Sequence, residues 1–398
     1  MLNVEKRYIY LCVGIITLFC AGFLFTWSVF STAIASEYMS WSNAKLMTTY
    51  TFYTFFFCLG GFFNSLVLKR TTIKISYYFA AITMFFGFFI AANSKDFITL
   101  YLGYGVLCGF ATGILLNTTM ATVTSWFPTR AGFISGLLLM GEGIGSFIIG
   151  KIFRIICAIE GYTWRDAFLF FAVSTFIILI LASILLDKNR CQNIVQKNRK
   201  EATYLDITPK QMIRRTSFQL FFALVVLQTF AGLALLSQAQ NLVYQIVPEI
   251  ALGTATTIVG ILSICNSVGV FLIGGVFDTL QYYKTVLLTA AGFVLGAIVI
   301  LLAGLVDNLI VIIIGFIVFG IFFGGGNALN TAVILKLYGN TYYAANYAVI
   351  NSIMLIASFG GVAAGILIDL TNNYTVLLSM IAIFGVIAFI LGKFMRKP

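Results

Sequence analysis

Glu142 is the residue of this sequence whose type and position could most directly do chemistry. It is the one acidic residue deep inside the apolar stretch 131–154, and Gly141, Gly143 and Gly145 surround it. An ionisable side chain at hydrocarbon depth is costly and by default marks a functional site. A carboxyl group in apolar surroundings is more stable uncharged, so it could take up and release a proton as the site dries and wets. The alternative is a structural carboxyl hydrogen-bonded to a neighbouring helix.

Two basic residues follow Glu142 in the same stretch. On a helix rising 1.5 Å per residue, Lys151 and Arg154 would lie about 13 and about 18 Å further along the axis. Lys151 could attract an anion at the outer mouth of a pathway. Its ammonium group could equally reach out to the membrane interface. Both interpretations stay open.

Neutral polar and aromatic side chains supply further candidate ligands. The candidate residues of a substrate cavity are Trp27, Tyr50, Tyr53, Asn117, Gln238, Asn266, Asn327 and Asn351. The aromatic members would suit an apolar or aromatic substrate, whereas the amides could also serve as hydrogen bonds between helices. The sequence has no histidine, and it lacks the Walker loop, the GxSxG elbow and the HExxH motif. We therefore expect no enzymatic activity, no metal site and no cofactor.

The composition indicates which elements position these residues. Hydrophobic residues make up 61% of the 398 residues and charged residues 9%, whereas a soluble domain carries about 25% charged residues. A transmembrane helix needs about 20 apolar residues. The predicted spans are 8–35, 46–68, 74–92, 97–123, 131–156, 167–186, 217–246, 254–277, 285–305, 309–335, 343–368 and 374–394. We predict an all-α polytopic membrane protein with twelve transmembrane helices.

The basic residues indicate the orientation of these spans. If both termini are cytoplasmic, only 5 of the 24 lysines and arginines lie on the outer side: Lys45, Lys95, Lys151, Arg154 and Arg165. This bias favours cytoplasmic termini, and it explains the net charge of +11 without nucleic acid as a partner. We expect a monomeric integral protein of the plasma (inner) membrane. Its partners would be the lipid bilayer, a small-molecule substrate and, as a candidate coupling ion, protons.

A basic segment divides the sequence into two similar halves. Residues 187–216 form the predicted cytoplasmic linker between a half of six spans at 1–186 and another at 217–398. Gly109-Phe-Ala-Thr-Gly113 in the fourth span recurs as Gly320-Ile-Phe-Phe-Gly324 in the tenth, 211 residues later (320 − 109). Parallel repeats of this kind place a substrate site near the membrane midplane. We predict two pseudo-symmetric six-helix halves.

The loops after the second and eighth spans share a pattern of a glycine, an acid and basic residues. The matching residues are Gly61, Lys69 and Arg70 in the first copy and Gly274, Asp278 and Lys284 in the second. The first copy has Ser65 where the acid belongs. Spans, linker, repeat and motif together resemble the major facilitator superfamily. The resemblance implies the major facilitator fold, a secondary transporter that works by alternating access, and a cytoplasmic gating role for the motif residues.

Shorter stretches are similar to the oxalate/formate antiporter family, which is related to monocarboxylate transporters. They are Trp27-Ser-Val-Phe30, Trp41-Ser42, Trp126-Phe-Pro128 and Asn346-Tyr347. The resemblance implies transport of a small organic anion, specifically a monocarboxylate, by proton symport or exchange. The oxalate-binding members use an arginine and a lysine whose positions are occupied here by Val270 and Met354. Without these charge partners we do not expect oxalate itself as the substrate.

Two other functions stay open. A single carboxylate in an otherwise uncharged pathway would also suit a proton-coupled carrier or exporter of neutral, amphipathic or cationic compounds. A more remote alternative is a membrane sensor that transports nothing.

Overall fold

The predicted membrane spans are present in the structure. The computed structural model describes residues 2–67, 72–127, 131–186, 205–280, 282–339 and 342–395. Within these ranges, 12 helical segments are long and apolar enough to cross a membrane, from Arg7–Glu37 to Tyr374–Phe394. They coincide with the spans predicted from the apolar runs, and the all-α membrane fold is confirmed.

The first six spans contain two departures from regular α-helix. In the first span, α1 (Leu2–Phe19) and α2 (Phe23–Glu37) are joined by a 3₁₀ turn at Cys20–Gly22. In the fourth, α5 (Phe97–Leu100) runs through a π-helical segment, Tyr101–Cys108, into α6 (Gly109–Ser125). The regular spans are α3 (Asn43–Val67), α4 (Ile73–Ala92), α7 (Ala131–Ala158) and α8 (Trp164–Leu185).

The later spans are regular except for the eleventh. A short helix, α9 (Pro209–Ile213), precedes α10 (Thr216–Ile246), α11 (Leu252–Thr279), α12 (Tyr282–Val306) and α13 (Leu309–Tyr338). The eleventh span consists of α14 (Tyr343–Asn351), α15 (Ile353–Ala357) and α16 (Phe359–Thr371), and α17 (Tyr374–Phe394) is the twelfth. At the two breaks, the hydroxyls of Ser352 and Ser358 donate to the carbonyls of Val349 and Leu355 at 2.7 and 2.9 Å. Such back-bonding competes with the helical ladder.

The chain separates into two compact units. The first holds residues 1–198 and 252–260, and the second holds 199–251 and 261–398. The beginning of α11, up to Gly260, therefore packs with the first unit.

Both units contain an equivalent pair of helices in very close contact. A Cβ atom on Gly113 of α6 would lie 1.9 Å from the carbonyl oxygen of Phe57 on α3. In the second unit, one on Gly324 of α13 would lie 1.7 Å from the carbonyl oxygen of Asn266 on α11. Only glycine permits these approaches, and the two glycines are 211 residues apart (324 − 113), the offset predicted for the repeat.

The facing helices carry the reciprocal contact. A Cβ on Gly60 would lie 2.1 Å from the carbonyl oxygen of Phe110, and one on Gly269 would lie 1.9 Å from that of Ile321. The same pair of contacts thus recurs in both units, which supports the predicted pseudo-symmetry.

Hydrogen bonds between polar groups join the loops at one end of the first unit. Arg165 donates to both carboxylate oxygens of Glu37, at 2.7 and 2.5 Å, and Trp164 donates its indole N–H to the same group at 2.6 Å. Arg165 also donates to the hydroxyl of Tyr38 at 2.8 Å and to the carbonyl of Ser94 at 3.2 Å. We call Glu37, Tyr38, Trp164 and Arg165 the outer network, because the predicted orientation puts these loops outside.

Equivalent helices of the two units begin with different caps. Asp96 accepts hydrogen bonds from the backbone N–H and the hydroxyl of Thr99, both at 2.8 Å, where the fourth span begins. Asn308 accepts from the backbone N–H groups of Ile310 and Val311, at 2.9 and 3.3 Å, where α13 begins. Both side chains satisfy backbone donors that a helix start leaves unpaired.

Candidate functional site

Glu142 lies buried in the middle of α7, with 7% of its surface exposed. Close contact between α7 and the first span explains Gly145 on α7 and Gly22 on the first span. A Cβ on Gly145 would lie 2.4 Å from the carbonyl oxygen of Phe19, and one on Gly22, in the 3₁₀ turn, 2.7 Å from the carbonyl oxygen of Glu142. Within the described part of the chain, no hydrogen bond reaches the Glu142 carboxyl. The structural alternative, a carboxyl fixed by a neighbouring helix, therefore lacks its hydrogen-bond partner here.

Aromatic residues predicted from the sequence gather beside Glu142. Tyr50 and Tyr53 of α3 are close enough to Glu142 to interact with it electrostatically. The ring of Tyr104 lies 4.9 Å from that of Trp27 and 5.0 Å from that of Tyr53, between centroids. All four aromatic side chains are at most 1% exposed. We call Trp27, Tyr50, Tyr53 and Tyr104 the aromatic cluster.

Tyr104 is the member that the sequence analysis missed. It lies in the π-helical segment and donates its hydroxyl to the carbonyl of Phe23 at 2.8 Å, just after the 3₁₀ turn of the first span. π-helical segments occur frequently at functional sites. A signal was available, because Gly103 and Gly105 flank Tyr104 much as glycines flank Glu142.

Two hydrogen-bond donors of the aromatic cluster are unused. Tyr53 is paired with Thr112 at 2.7 Å, but the hydroxyl of Tyr50 and the indole N–H of Trp27 are buried and have no partner among the described residues. A buried donor without a partner costs about 1–3 kcal/mol, so each such group in a native protein needs an explanation. A ligand with acceptor oxygens would provide one.

Beyond Glu142, hydrogen bonds join the later turns of α7 to the first span and to the beginning of α11. Ser146 and Thr26 are joined through their hydroxyls at 3.1 Å. Lys151 donates to the carbonyl of Gly253 at 2.7 Å and to the hydroxyl of Thr257. Both partners belong to the part of α11 that packs with the first unit.

Arg154 adds hydrogen bonds about one turn further along α7. It donates to the hydroxyl of Thr32 at 2.7 Å, to the carbonyl of Val29 at 3.4 Å and to the hydroxyl of Thr256 at 3.3 Å. We call Ser146, Lys151 and Arg154, with these partners, the seal. The ammonium group predicted to attract an anion at the outer mouth is thus bound to neutral groups of α11 in this structure.

Comparison with known proteins identifies the family. The profile described as Major Facilitator Superfamily matches residues 12–362. The chain belongs to the Major Facilitator Superfamily. The transporter is similar to the uncharacterized MFS-type transporter YhjX of Escherichia coli (strain K12), with 22% identity over 87% of this chain and 84% of that protein. It is also 29% identical to human monocarboxylate transporter 11, over 22% of this chain and 18% of the human protein.

Solved structures show the same fold. A bacterial homologue of the human lysosomal transporter Spinster, in an inward-facing and unoccupied conformation, superposes with a TM-score of 0.71 and 14% identity, over 98% of this chain and 97% of that one. The xylose transporter XylE from E. coli, in a partially occluded inward-open conformation, gives a TM-score of 0.71 and 14% identity, over 98% of each chain. This superfamily member is therefore a secondary carrier embedded in the membrane, and not an enzyme.

The amides predicted to line a cavity of this carrier have different surroundings. Asn117 accepts a hydrogen bond at 2.9 Å from Asn64 of α3, a buried residue that the sequence analysis did not select. In the second unit, Gln238 is fully buried and accepts from Asn241 at 3.0 Å. The Nδ2 group of Asn266 and the Nε2 group of Gln238 are buried without a partner among the described residues. The remaining two candidates, Asn327 and Asn351, are exposed.

The motif for which the family resemblance implies a gating role lies partly outside the described residues. Lys69, Arg70 and the side chain of Asp278 lie outside the described residues, Gly61 and Gly274 are half-buried, and Lys284 is exposed. The motif glycines Gly61 and Gly274 are 213 residues apart (274 − 61). On the same helices, the closely packed glycines Gly60 and Gly269 are 209 residues apart (269 − 60). The difference of four residues is about one helical turn, so both registers keep the same helix face.

Candidate metal ligands do not cluster in the described ranges. No group of three or more His, Cys, Asp or Glu side chains comes together there as a metal site would need.

Proposed function

We propose that this carrier moves a small organic anion, specifically a monocarboxylate, together with a proton carried by Glu142. The observation that carries the proposal is the position of Glu142, buried in the first unit beside the aromatic cluster and without a hydrogen bond within the described ranges. A carboxyl group in such surroundings holds a proton while the site is dry and releases it when water enters. Protonation of Glu142 would remove the repulsion between two carboxylates and allow the substrate to enter.

Neutral donors would bind the substrate carboxylate in place of the missing cations. The hydroxyl of Tyr50 and the indole N–H of Trp27 are buried, unpaired and part of the aromatic cluster next to Glu142. Hydrogen bonds to an ionised acceptor contribute about 1.5–3 kcal/mol each, so two of them can hold a monocarboxylate with no arginine or lysine. The similarity to monocarboxylate transporters over part of the chain supports the same substrate class.

The test is Glu142→Gln in proteoliposomes with an imposed pH gradient. Glutamine mimics the protonated carboxyl but cannot release a proton. We expect accumulation of labelled lactate or formate to fall at least tenfold, while exchange of internal for external substrate continues. Glu160→Gln, at an exposed acid in the loop after α7, is the matched control and should leave both activities intact. Accumulation that still follows the pH gradient in Glu142→Gln would contradict the proton role.

A second function has one observation in its favour. Two rings of the aromatic cluster, Tyr50 and Tyr53, interact electrostatically with a single acid, and aromatic faces attract cations. A proton-coupled exporter of cationic or amphipathic compounds would use Glu142 and these rings directly. Transport of a cationic dye that no carboxylate inhibits would support the exporter, whereas inhibition by an excess of lactate or formate supports the monocarboxylate carrier.

We also propose that the carrier sits in the plasma (inner) membrane with both termini in the cytoplasm. The support is the excess of lysine and arginine on that side of the predicted spans. A tag at either terminus should be digested by added protease only in inverted vesicles. Digestion in intact spheroplasts would overturn the orientation.

A further inference from the structure

An open cavity lies on the first unit between α3, α4 and α6. Its volume is about 190 Å³, and its lining residues are Phe63, Asn64, Ile75, Ser76, Phe79 and Ile114. Since a water occupies about 30 Å³ in the liquid, several groups of that size fit. Phe63, Ile75 and Phe79 are each about half exposed, at 46, 51 and 48%. They belong to helices that cross the membrane, so the cavity opens toward lipid rather than toward the aromatic cluster.

One polar group in the cavity wall has no partner. Ser76 is 4% exposed, and its hydroxyl makes no hydrogen bond within the described ranges. The other polar lining residue, Asn64, already donates to Asn117 and Thr118 at 2.9 Å each. A buried water needs two to four polar partners, and this wall offers one free hydroxyl. A ligand with a single acceptor next to an apolar chain fits the cavity better than water does.

The depth of the cavity indicates which part of a ligand meets Ser76. Ser76 is three residues from the start of α4 and Asn64 three residues from the end of α3, so each lies about 5 Å from its helix end at 1.5 Å per residue. Both helix ends belong to the same connection and therefore to the same membrane face. At this depth a glycerophospholipid presents its ester carbonyls, which accept hydrogen bonds, and the first methylenes of its chains.

The charge at the same face is positive. Lys74 is exposed one residue after the start of α4, and Lys69 and Arg70 precede it in the sequence. Basic residues at a membrane face attract anionic lipid headgroups.

We propose that this cavity binds one acyl chain of an anionic glycerophospholipid. The Ser76 hydroxyl donates to an ester carbonyl, the apolar walls hold the first part of the chain, and Lys74 pairs with the headgroup phosphate. The site is separate from the aromatic cluster and does not depend on the identity of the transported substrate.

The experiment places a fluorescent reporter in the cavity wall. Phe79→Trp is reconstituted with increasing fractions of a phospholipid brominated near the ester end of its chains, either phosphatidylglycerol or phosphatidylcholine, and quenching is measured relative to the parent protein. We expect half-quenching at an approximately fivefold lower fraction of phosphatidylglycerol than of phosphatidylcholine. Lys74→Gln, added to the reporter variant, should remove most of that preference, whereas Ser76→Ala should raise the half-quenching fraction of both lipids and leave the preference in place.

The matched control is Phe86→Trp, on the same helix with similar exposure, 52% against 48%, but outside the cavity. It should be quenched equally by both lipids. Because the new indole could itself fill the cavity, Phe63→Trp on the opposite wall serves as a second reporter. Equal quenching by both lipids at both reporters, or the same preference at Phe86→Trp, would overturn the proposal.

Discussion

The fifth and eleventh spans occupy matching positions in the two halves of the repeat, yet they differ in both charge and continuity. α7 runs unbroken for 28 residues and carries Glu142, Lys151 and Arg154. The eleventh span is divided at Ser352 and Ser358 and has no charged residue between 343 and 368. The two units share their close helix contacts through glycine, so the repeat preserves packing, whereas the charged residues of α7 have no counterpart at 343–368 of the eleventh span. Substitutions can therefore change the helix packing and the charged groups of α7 separately.

The largest expected effect comes from the contacts that the units share. Gly113→Ala and Gly324→Ala each place a Cβ within 2 Å of a backbone carbonyl oxygen, so a helix must shift. Overpacking of this kind costs about 3 kcal/mol, and thermal unfolding in detergent should occur several degrees lower for both variants. Gly275→Ala, whose Cβ would meet nothing within 4 Å, is the control. A lower unfolding temperature in only one of the two variants would show that the two contacts are not equivalent.

The next effect tests the charges of α7 away from Glu142. Lys151→Met removes the ammonium group from Gly253 and Thr257 and should open the seal. Hydrogen bonds to charged groups contribute about 1.5–3 kcal/mol, and 1.4 kcal/mol is tenfold in population. The reporter is Ser146→Cys in a background without the seven native cysteines. With Lys151→Met added, it should react about tenfold faster with an impermeant thiol reagent than Ser146→Cys alone.

The control for this experiment is Lys95→Met, at an exposed lysine in a loop of the first unit. It should leave the labelling rate unchanged. An unchanged rate in Lys151→Met would mean that Lys151 does not hold the seal closed.

A smaller effect separates structural charge from functional charge within the first unit. Glu37→Gln weakens the outer network, whose Glu37 and Arg165 side chains are 41 and 27% exposed. Solvent screening keeps the loss to about 1 kcal/mol or less. We expect slightly lower thermal stability and unchanged proton-driven uptake. A large loss of uptake with intact stability would place the outer network in the transport pathway.

The smallest effect concerns the caps of the fourth and tenth spans. The backbone and side-chain hydrogen bonds from Thr99 lower the pKa of Asp96 below its ordinary value. Its stabilising contribution is therefore present above the pKa of the unfolded carboxyl, about 4, and is lost as pH falls through the folded pKa. Asn308 does not titrate in this range.

Exchanging the caps tests this difference. The melting temperature of the parent should fall slightly between pH 7 and pH 3 as Asp96 takes up a proton. This fall should be smaller in Asp96→Asn and larger in Asn308→Asp. Identical pH profiles for both variants and the parent would show that Asp96 contributes no pH-dependent stability.

The sequence was sufficient for the spans and for the repeat, because both depend on local patterns. Apolar runs of bilayer length define the spans, and the repeated glycines at 109, 113, 320 and 324 mark the repeat. The 3₁₀ turn at Cys20–Gly22 and the π-helical segment Tyr101–Cys108 were not predictable in this way. No proline occurs in either segment, and their glycines, Gly22, Gly103 and Gly105, do not differ in type from the glycines of the regular spans, so residue type alone does not mark these distortions.

Distant partners account for the rest of what sequence reasoning missed. Lys151 was recognised as a basic residue near one end of its span, but its partners Gly253 and Thr257 lie more than 100 residues away in the sequence. Glu142 was selected because one acid in an apolar stretch is conspicuous. That Tyr50 keeps an unpaired hydroxyl beside it depends on the packing of α3 against other helices, which a single sequence does not contain.

The isolation of Glu142 sets a limit on how strongly the proposed carrier can concentrate its substrate. Because Glu142 is the one proton-carrying group of the proposed mechanism, the proposed carrier moves one proton with each substrate molecule. One proton crossing a gradient of one pH unit supplies about 1.4 kcal/mol, which corresponds to about a tenfold ratio of substrate across the membrane. Symport of a monocarboxylate with one proton transfers no net charge, so the membrane potential adds nothing. Such a carrier equilibrates its substrate with the pH gradient, and transport reverses whenever the gradient does.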